Sequence, residues 1–176
     1  MILKLKRTPG VYIAGFMGSG KTTIGMRVAD QLGWHFADLD ADIIHQEGSS
    51  ISDIFDERGE AAFRELEREA LKRRVLSVQA GRPLVMALGG GAFVDEENHK
   101  LLTENGASVW LDCPIERIKA RIANNSGRPL ARDPRRFEQL YYSRREIYSK
   151  CEYRVEVDTD DPDVLTAAVL ALPLFH

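Results

Sequence analysis

The stretch GFMGSGKTTIG, from Gly15 to Gly25, decides the fold of this chain. It fits the pattern G-x-x-x-x-G-K-[ST], whose glycines let the backbone curl so that successive N–H groups point at phosphate oxygens. The apolar run VYIAG at 11–15 comes before it and predicts a buried strand, and residues 21–32 carry apolar side chains at helical spacing. A strand before the loop and a helix after it distinguish a phosphate-binding loop from a merely glycine-rich turn.

This loop predicts a nucleoside triphosphate as ligand. The helix that follows presents the positive end of its dipole to the phosphates, Lys21 can reach the β- and γ-phosphates, and the Thr22 hydroxyl can ligate Mg²⁺. The residues expected to contact the nucleotide here are Gly18, Ser19, Gly20, Lys21, Thr22 and Thr23. The loop alone does not identify the acceptor of the phosphate.

The rest of the chain alternates predicted strands with predicted helices. The strands lie at 11–15, 36–40, 84–88, 108–112 and 153–157, and the helices at 21–32, 60–79, 95–105, 114–123, 136–150 and 162–171. Ser50 and Asp53 form a capping box before the long helix. This alternation predicts an α/β fold with a parallel sheet covered on both faces, and 176 residues predict a single domain, 1–176.

Composition excludes several classes of protein. Apolar residues make up 44% and charged residues 29%, no apolar run could cross a bilayer, and MILKLKRTPG does not resemble a signal peptide. Cys113 and Cys151 lack metal-binding spacing, so two reduced thiols and a cytoplasmic location are expected. The net charge of −3 does not suggest a nucleic-acid partner. Residues 117–154 nevertheless hold eleven Lys/Arg and four Asp/Glu, which predicts a solvated face or a site for a small polyanion.

The sequence DLDAD, Asp38 to Asp42, follows the second predicted strand. Because side chains alternate along a strand, Asp38 and Asp40 are expected to point the same way. Such a pair suits Mg²⁺ held partly through water, with one carboxylate assisting the metal and the other accepting a proton from an attacking hydroxyl. Two alternatives stay open: Asp40 or Asp42 caps a helix over 41–47, and Asp42 repeats the D-x-D spacing.

Two further features carry weaker signals. Arg64 and Glu67 are three residues apart on a helix, which indicates a shared face and, by itself, a surface ion pair. Gly89 to Gly91 follow the third strand, where they either let a ligand approach the backbone or form a loose turn. Ligands of parallel sheets bind beyond the carboxyl ends of the strands, so the glycine loop, the aspartates and these glycines are expected at one edge.

Taken in order, these motifs resemble the shikimate kinase family. They are GFMGSGKTTIG, FADLDADI, SISDIFDERGEAAFRELE, LGGGA, RPLA and a late arginine before tyrosine, and they cover residues 11 to about 160. The resemblance implies a three-layer P-loop NTPase fold of the nucleoside monophosphate kinase type, with a five-stranded parallel sheet in order 2-3-1-4-5. It also implies ATP-dependent phosphorylation of the 3-hydroxyl of shikimate with Mg²⁺, in the shikimate pathway of aromatic amino acid biosynthesis, by a monomer.

The resemblance also implies roles for individual residues. The catalytic residues it implies are Lys21, Asp40 and Arg128, and the residues that bind shikimate are Asp40, Arg64, Gly89, Gly90, Gly91 and Arg144. The nucleotide is bound by the phosphate loop, Arg121 and Arg128. Mg²⁺ is bound by Thr22 and Asp38. Within this scheme Arg121 stacks on adenine, Glu67 orients Arg64, and Arg128 belongs to a mobile lid over about 124–135. The substrate-binding helical segment spans about 40–70.

The sequence departs from the family pattern in places. Leu39 stands where the family often has threonine, and RREIY lacks the usual proline, so either Arg144 or Arg145 binds the carboxylate, with Arg144 favoured by its spacing from Tyr148. Arg132 has no assigned role. The alternative functions are a gluconate-type kinase, a nucleoside monophosphate kinase, and a catalytically silent P-loop module that binds nucleotide only.

Overall fold

The structure, a computed structural model, describes residues 10–123 and 133–175. Within these ranges five strands form one parallel sheet: β1 (Gly10–Ala14), β2 (His35–Asp38), β3 (Leu84–Ala87), β4 (Ala107–Asp112) and β5 (Tyr153–Glu156). Their order is β2-β3-β1-β4-β5, which confirms the topology that the family resemblance implied. Since β1 is central, the loop after it opens at the middle of the sheet's carboxyl edge.

Helices connect these strands. Those of the described residues are α1 (Lys21–Leu32), α2 (Leu39–Glu47), α3 (Ile51–Gln79), α4 (Glu96–Glu104), α5 (Ile115–Ala123), α6 (Pro134–Tyr148) and α7 (Pro162–Leu170), with 3₁₀ turns at Ala92–Val94 and Pro173–Phe175. Side-chain caps at Asp38, Ser50, Asp95, Asp133 and Asp161 begin α2, α3, α4, α6 and α7. Each cap satisfies backbone N–H groups that the first helical turn leaves without partners.

The hydrophobic core lies on both faces of the sheet. Every residue of β1 and of β3 is buried, because helices cover the sheet on each side and leave no solvated face to these strands. On α1, a Cβ at Gly25 would lie 2.7 Å from the Phe36 ring, so the glycine lets this helix pack closely against β2. The close packing holds the start of α1 beside the ends of the strands.

The boundary between β2 and α2 differs from the prediction. The strand was expected over 36–40, but it ends at Asp38, whose carboxylate accepts a hydrogen bond from the Ala41 N–H at 3.1 Å. Asp38 is therefore the cap of α2, and the expectation that Asp40 or Asp42 caps it is wrong. Asp40 lies in the first helical turn, so strand alternation is not the reason that it lies near Asp38.

The long helix α3 begins where its capping signal predicts. The Ser50 hydroxyl accepts a hydrogen bond from the Asp53 N–H at 3.1 Å. The helix is kinked at Gly59, where φ is 83° and ψ is 170°, so residues 51–58 and 60–79 run in different directions. The kink explains why the sequence shows a capping box well before the start of the apolar helical pattern at 60.

Other sequence predictions have mixed outcomes. Cys113 and Cys151 are both free thiols, as expected, and none of the helices in the described residues is long and apolar enough to span a bilayer. Most of the predicted lid, including Arg128 and Arg132, lies outside the described residues. Its last three positions are not a loop, because Asp133 caps α6 and the helix begins at Pro134.

Candidate active site

A cavity of about 690 Å³ opens at the carboxyl edge of the sheet. Its lining includes residues 17–24 of the phosphate loop and α1, together with Asp38, Asp40, Gly90 and Arg121. Motifs from the ends of β1, β2 and β3 thus meet in one space, as the rule for parallel sheets predicts. Lys21 and Asp40 face the same cavity rather than separate ones.

The phosphate loop is shaped by a left-handed glycine and bonded by the Lys21 side chain. Gly20 precedes α1 in the left-handed conformation, with φ at 99°, which an L side chain adopts only with strain. The Lys21 ammonium donates to the carbonyl oxygen of Gly15 at 2.6 Å and to that of Phe16 at 3.2 Å. The lysine therefore lies over the loop at the N-terminal end of α1, where helix dipole and ammonium both favour an anion.

Arg121 lies beside the phosphate loop. Its guanidinium donates to the Gly18 carbonyl oxygen at 2.6 Å and to the Asp160 carboxylate at 3.0 Å, and Asp160 also pairs with Arg117. Both arginines lower the pKa of the Asp160 carboxyl. Pro162 follows two residues later and also lines the cavity. The sequence indicated Arg121 but not its partner Asp160, which only the approach of the β5–α7 loop to α5 reveals.

The Thr22 hydroxyl and the Asp38 carboxylate lie next to each other at the edge of the cavity. The Thr22 hydroxyl donates to the Asp38 carboxylate at 2.6 Å, across the gap between α1 and the end of β2. Among the described residues there is no cluster of three or more His, Cys, Asp or Glu that could hold a metal. A hydroxyl and one carboxylate nevertheless fit Mg²⁺, which takes one or two protein oxygens and completes its shell with water and phosphate.

Asp40 and Asp42 have different surroundings, although they repeat the same spacing. Asp40 lines the cavity, and burial, followed by the charge of Asp38, raises the pKa of its carboxyl, while Lys21 and Arg64 act in the opposite direction. Asp42 instead accepts two hydrogen bonds from Arg74 on α3, at 2.6 and 2.7 Å. The structure therefore places Asp40, and not Asp42, toward the phosphate loop.

Arg64 and Glu67 are more than a surface ion pair. Arg64 donates to the Glu67 carboxylate at 2.9 Å, and Glu67 is only 1% exposed. Burial raises the pKa of the Glu67 carboxyl, and Arg64 opposes that shift. The second carboxylate oxygen of Glu67 is buried and has no hydrogen-bond partner among the described residues. Burying a charge is costly unless it is paired, so this pair fixes the guanidinium in place.

The glycines after β3 make room for these charged groups. A Cβ at Gly89 would lie 2.7 Å from an Asp40 oxygen, and one at Gly91 would lie 2.5 Å from the Arg64 Nη2 atom. Both are shorter than real Cβ contacts, so a side chain at either position would displace its neighbour. The sequence indicated that a ligand approaches this backbone, but not that Asp40 and Arg64 themselves pack against it.

The two adjacent arginines of α6 point to different partners. Arg144 donates to the Gly90 carbonyl oxygen at 3.1 Å, and the buried Tyr148 donates to the same oxygen at 2.5 Å. Arg145 instead pairs with Asp112, the last residue of β4. The geometry therefore favours Arg144 as the arginine of the site, in agreement with its spacing from Tyr148. Sequence reasoning used Tyr148 only as a marker and missed its hydrogen bond to Gly90.

A phosphate loop at the centre of this sheet, facing the Asp40 carboxylate across one cavity, defines a P-loop kinase that acts on a small acceptor. The family model described as shikimate kinase matches residues 17–172. The chain belongs to the shikimate kinase family.

Individual relatives agree with this assignment. The shikimate kinase of Persephonella marina is 37% identical over 161 residues, which cover 91% of this chain and 96% of that one. A structure of shikimate kinase from Acinetobacter baumannii in complex with shikimate superposes with a TM-score of 0.83 at 31% identity, covering 92% of this chain and 90% of that one. A gluconokinase from Sinorhizobium meliloti, with 16% identity, a TM-score of 0.57 and coverage of 94% and 91%, shares the fold alone.

Proposed function

We propose that this chain transfers the γ-phosphate of ATP to the 3-hydroxyl of shikimate in the cavity between the phosphate loop and residues 89–91. The observation that carries the proposal is that Lys21 and Asp40 line one cavity together with Gly90, whose carbonyl oxygen Arg144 bonds and whose neighbour Gly91 packs against Arg64. Shikimate is a small ring with one carboxylate and several hydroxyls, so it matches a site that offers two guanidinium groups and one carboxylate.

On the nucleotide side, the loop backbone and Lys21 bind the β- and γ-phosphates. Residues 18–23 supply N–H and hydroxyl donors, and Arg121 and Pro162, which line the same cavity, are expected to hold the adenine. Thr22 and Asp38 hold Mg²⁺, which, when bound, offsets the negative charge of the β- and γ-phosphate oxygens. Lys21 remains beside the γ-phosphate as negative charge moves toward the departing ADP.

On the acceptor side, Arg64 and Arg144 bind the carboxylate of shikimate. Guanidinium groups match a planar carboxylate with paired hydrogen bonds, so two of them fix orientation as well as position. Glu67 holds Arg64 through the 2.9 Å hydrogen bond, and Tyr148 shares the Gly90 carbonyl oxygen with Arg144. This anchoring leaves the hydroxyl end of the ring facing Asp40.

In the chemical step, the 3-hydroxyl oxygen forms a bond to the γ-phosphorus as the bond from that phosphorus to the β,γ-bridging oxygen breaks. Asp40 accepts the hydroxyl proton, and ADP leaves with the bridging oxygen. Most of the acceleration comes from positioning and from charge stabilisation, because phosphoryl transfer needs little covalent help from the protein.

Several parts of the scheme stay predictions. Arg128 and the lid that would close over the phosphates lie outside the described residues. The single catalytic domain with an acceptor-binding helical segment over about 40–70, the monomeric state and the cytoplasmic location likewise stay predictions.

The test is ADP release in the presence of ATP and Mg²⁺ with shikimate, gluconate, AMP or no acceptor. We expect shikimate alone to stimulate release, and phosphorus NMR of the product to show a phosphate ester at the 3-position. No stimulation by shikimate would contradict the proposal. Stimulation by gluconate would favour a gluconate-type kinase, and no stimulation by any acceptor would favour a silent nucleotide-binding module.

A further inference from the structure

Arg145 stands next to the carboxylate-binding candidate Arg144 on α6, but it contacts a different part of the molecule. Its guanidinium bonds both oxygens of Asp112, one of them from Nη2 at 3.3 Å and the other more closely from Nη1. Asp112 ends β4 and is 6% exposed. A carboxylate so deeply buried needs cationic partners, so this contact holds α6 against the sheet.

A second arginine binds the same carboxylate from another element. Arg154 on β5 donates to one Asp112 oxygen from Nε at 2.9 Å and from Nη2 at 2.6 Å. The two guanidinium carbons lie 5.0 Å (Arg145) and 5.3 Å (Arg154) from the centroid of the Trp110 ring. Arg145 also donates to the Tyr141 hydroxyl at 3.1 Å. Arg145 thus joins Asp112 to α6, whereas Arg154 joins it to the neighbouring strand.

The same helix reaches the active site one turn further along. Tyr148 donates to the Gly90 carbonyl oxygen at 2.5 Å and its ring lies 6.2 Å from that of Trp110. Arg144 donates to the same oxygen at 3.1 Å. The inner face of α6 is therefore anchored at Asp112 through Arg145 and at Gly90 through Tyr148, and Arg144 directly precedes the first of these anchoring residues.

We infer that Arg145 is a positioning residue for shikimate binding: its pair with Asp112 sets the place of α6 from which Arg144 reaches the substrate carboxylate. The inference rests on the proposed function, because it takes Arg144 as the residue that contacts shikimate. Arg145 itself does not touch the substrate, since its guanidinium is already engaged by Asp112, Tyr141 and Trp110.

The test compares Arg145→Met with Arg154→Met. Each variant removes one of the two cations beside Asp112, but only Arg145 belongs to α6. We expect Arg145→Met to raise the KM for shikimate by ~10-fold, the scale of a weakened charge-assisted hydrogen bond, and to leave the KM for ATP within about twofold. Arg154→Met should leave both KM values within about twofold. Thermal unfolding of both variants separates a loss of stability from a loss of positioning.

An equal rise in the KM for shikimate in both variants would overturn the inference. It would mean that the loss of either cation beside the buried Asp112 carboxylate weakens binding, whether or not that cation belongs to α6. Should Arg145→Met fail to fold, Arg145→Lys takes its place and is expected to give a smaller rise in the KM for shikimate. An unchanged KM in that variant, together with an unchanged KM in Asp112→Asn, would also overturn it.

A double-mutant cycle shows whether Arg145 acts through Arg144. We expect Arg145→Met to add less than about twofold to the KM of Arg144→Ala, since the residue that it positions is already absent. Multiplicative effects would contradict the inference. If Arg144→Ala leaves the KM for shikimate unchanged, the carboxylate-binding role of Arg144 fails and the inference with it. If Arg144→Ala raises that KM and Arg145→Met does not, the positioning role alone fails.

Discussion

On the nucleotide side of the cavity, one continuous segment from Gly15 to Thr23 forms the phosphate cradle, whereas the acceptor side takes its groups from four separate elements. Asp40 comes from α2, Arg64 and Glu67 from α3, the glycines from the loop after β3, and Arg144 from α6. The first side depends on local backbone geometry. The second exists only when three helices are docked correctly on the sheet.

The two sides also differ in how their charges are stabilised. The phosphate cradle relies on backbone N–H groups and on Lys21, which donates to two carbonyl oxygens of the same segment, while Arg121 of α5 donates to the Gly18 carbonyl oxygen. The acceptor side holds the carboxylates of Asp40 and Glu67. Burial raises the pKa of both carboxyl groups, and the charge of Arg64 acts against that rise. Substitutions on the acceptor side are therefore expected to act through displaced neighbours as well as through lost contacts.

The largest effect is expected for Lys21→Met. Loss of the ammonium removes charge stabilisation from the transferred phosphate, and we expect kcat to fall by ~1000-fold. The affinity for shikimate, measured by titration without ATP, should stay within about twofold, because the Lys21 ammonium lies over the carbonyl oxygens of Gly15 and Phe16 and its proposed role is with the phosphates. Lys72→Met, at an exposed position of α3, is the control. An equally large loss of shikimate affinity would break the distinction between the two sides.

This distinction also explains how far the sequence alone could predict the molecule. The phosphate loop and α1 are local patterns, and the predicted bounds of α1 agree with the observed Lys21–Leu32. The boundary at Asp38 was wrong because a side-chain cap ended the strand earlier than its apolar pattern suggested. Strand order followed from the family resemblance and not from the pattern of residues.

The acceptor side was predictable in its residues but not in its contacts. Arg144 and Arg145 are adjacent, and only the docking of α6 decides that one meets Gly90 and the other Asp112. Likewise, no local pattern shows that Gly89 lies against Asp40 and Gly91 against Arg64. Such contacts depend on where α2 and α3 pack on the sheet. The periodicity of a single sequence does not predict that packing.

The second largest effect is expected for Asp40→Asn. The amide keeps the size of the side chain but cannot accept the hydroxyl proton, so we expect kcat to fall by ~100-fold or more. Steady-state kinetics with saturating ATP measures the change, and the KM for ATP should vary little because Asp40 acts on the acceptor. A variant that keeps a third or more of the native kcat would remove Asp40 from the proton-accepting role.

An intermediate effect is expected for a pair of glycine substitutions. Gly91→Ala should displace the Arg64 guanidinium and raise the KM for shikimate by about tenfold or more, the scale of a lost charge-assisted hydrogen bond. Gly89→Ala should displace the Asp40 carboxylate and lower kcat instead. The guanidinium is the far end of a flexible side chain and can move aside, so Gly91→Ala should still fold. Circular dichroism checks that it does. Identical kinetic changes in the two variants would contradict the separate contacts that the structure describes.

The smallest effect is expected for Asp42→Asn, which sharpens the contrast with Asp40 two residues away. Asp42 and Arg74 have side-chain exposures of 26% and 39%, so breaking their bidentate pair should cost about 1 kcal/mol of unfolding free energy. For a chain of this length that corresponds to a fall in Tm of about 2–4 °C. Both KM values and kcat should stay within about twofold, and Arg74→Met should lower Tm similarly without adding to the loss in the double variant. A fall in kcat comparable to that of Asp40→Asn would mean that the second aspartate of the repeated spacing also serves the acceptor side, since a partly exposed ion pair between α2 and α3 has no other route to the chemistry.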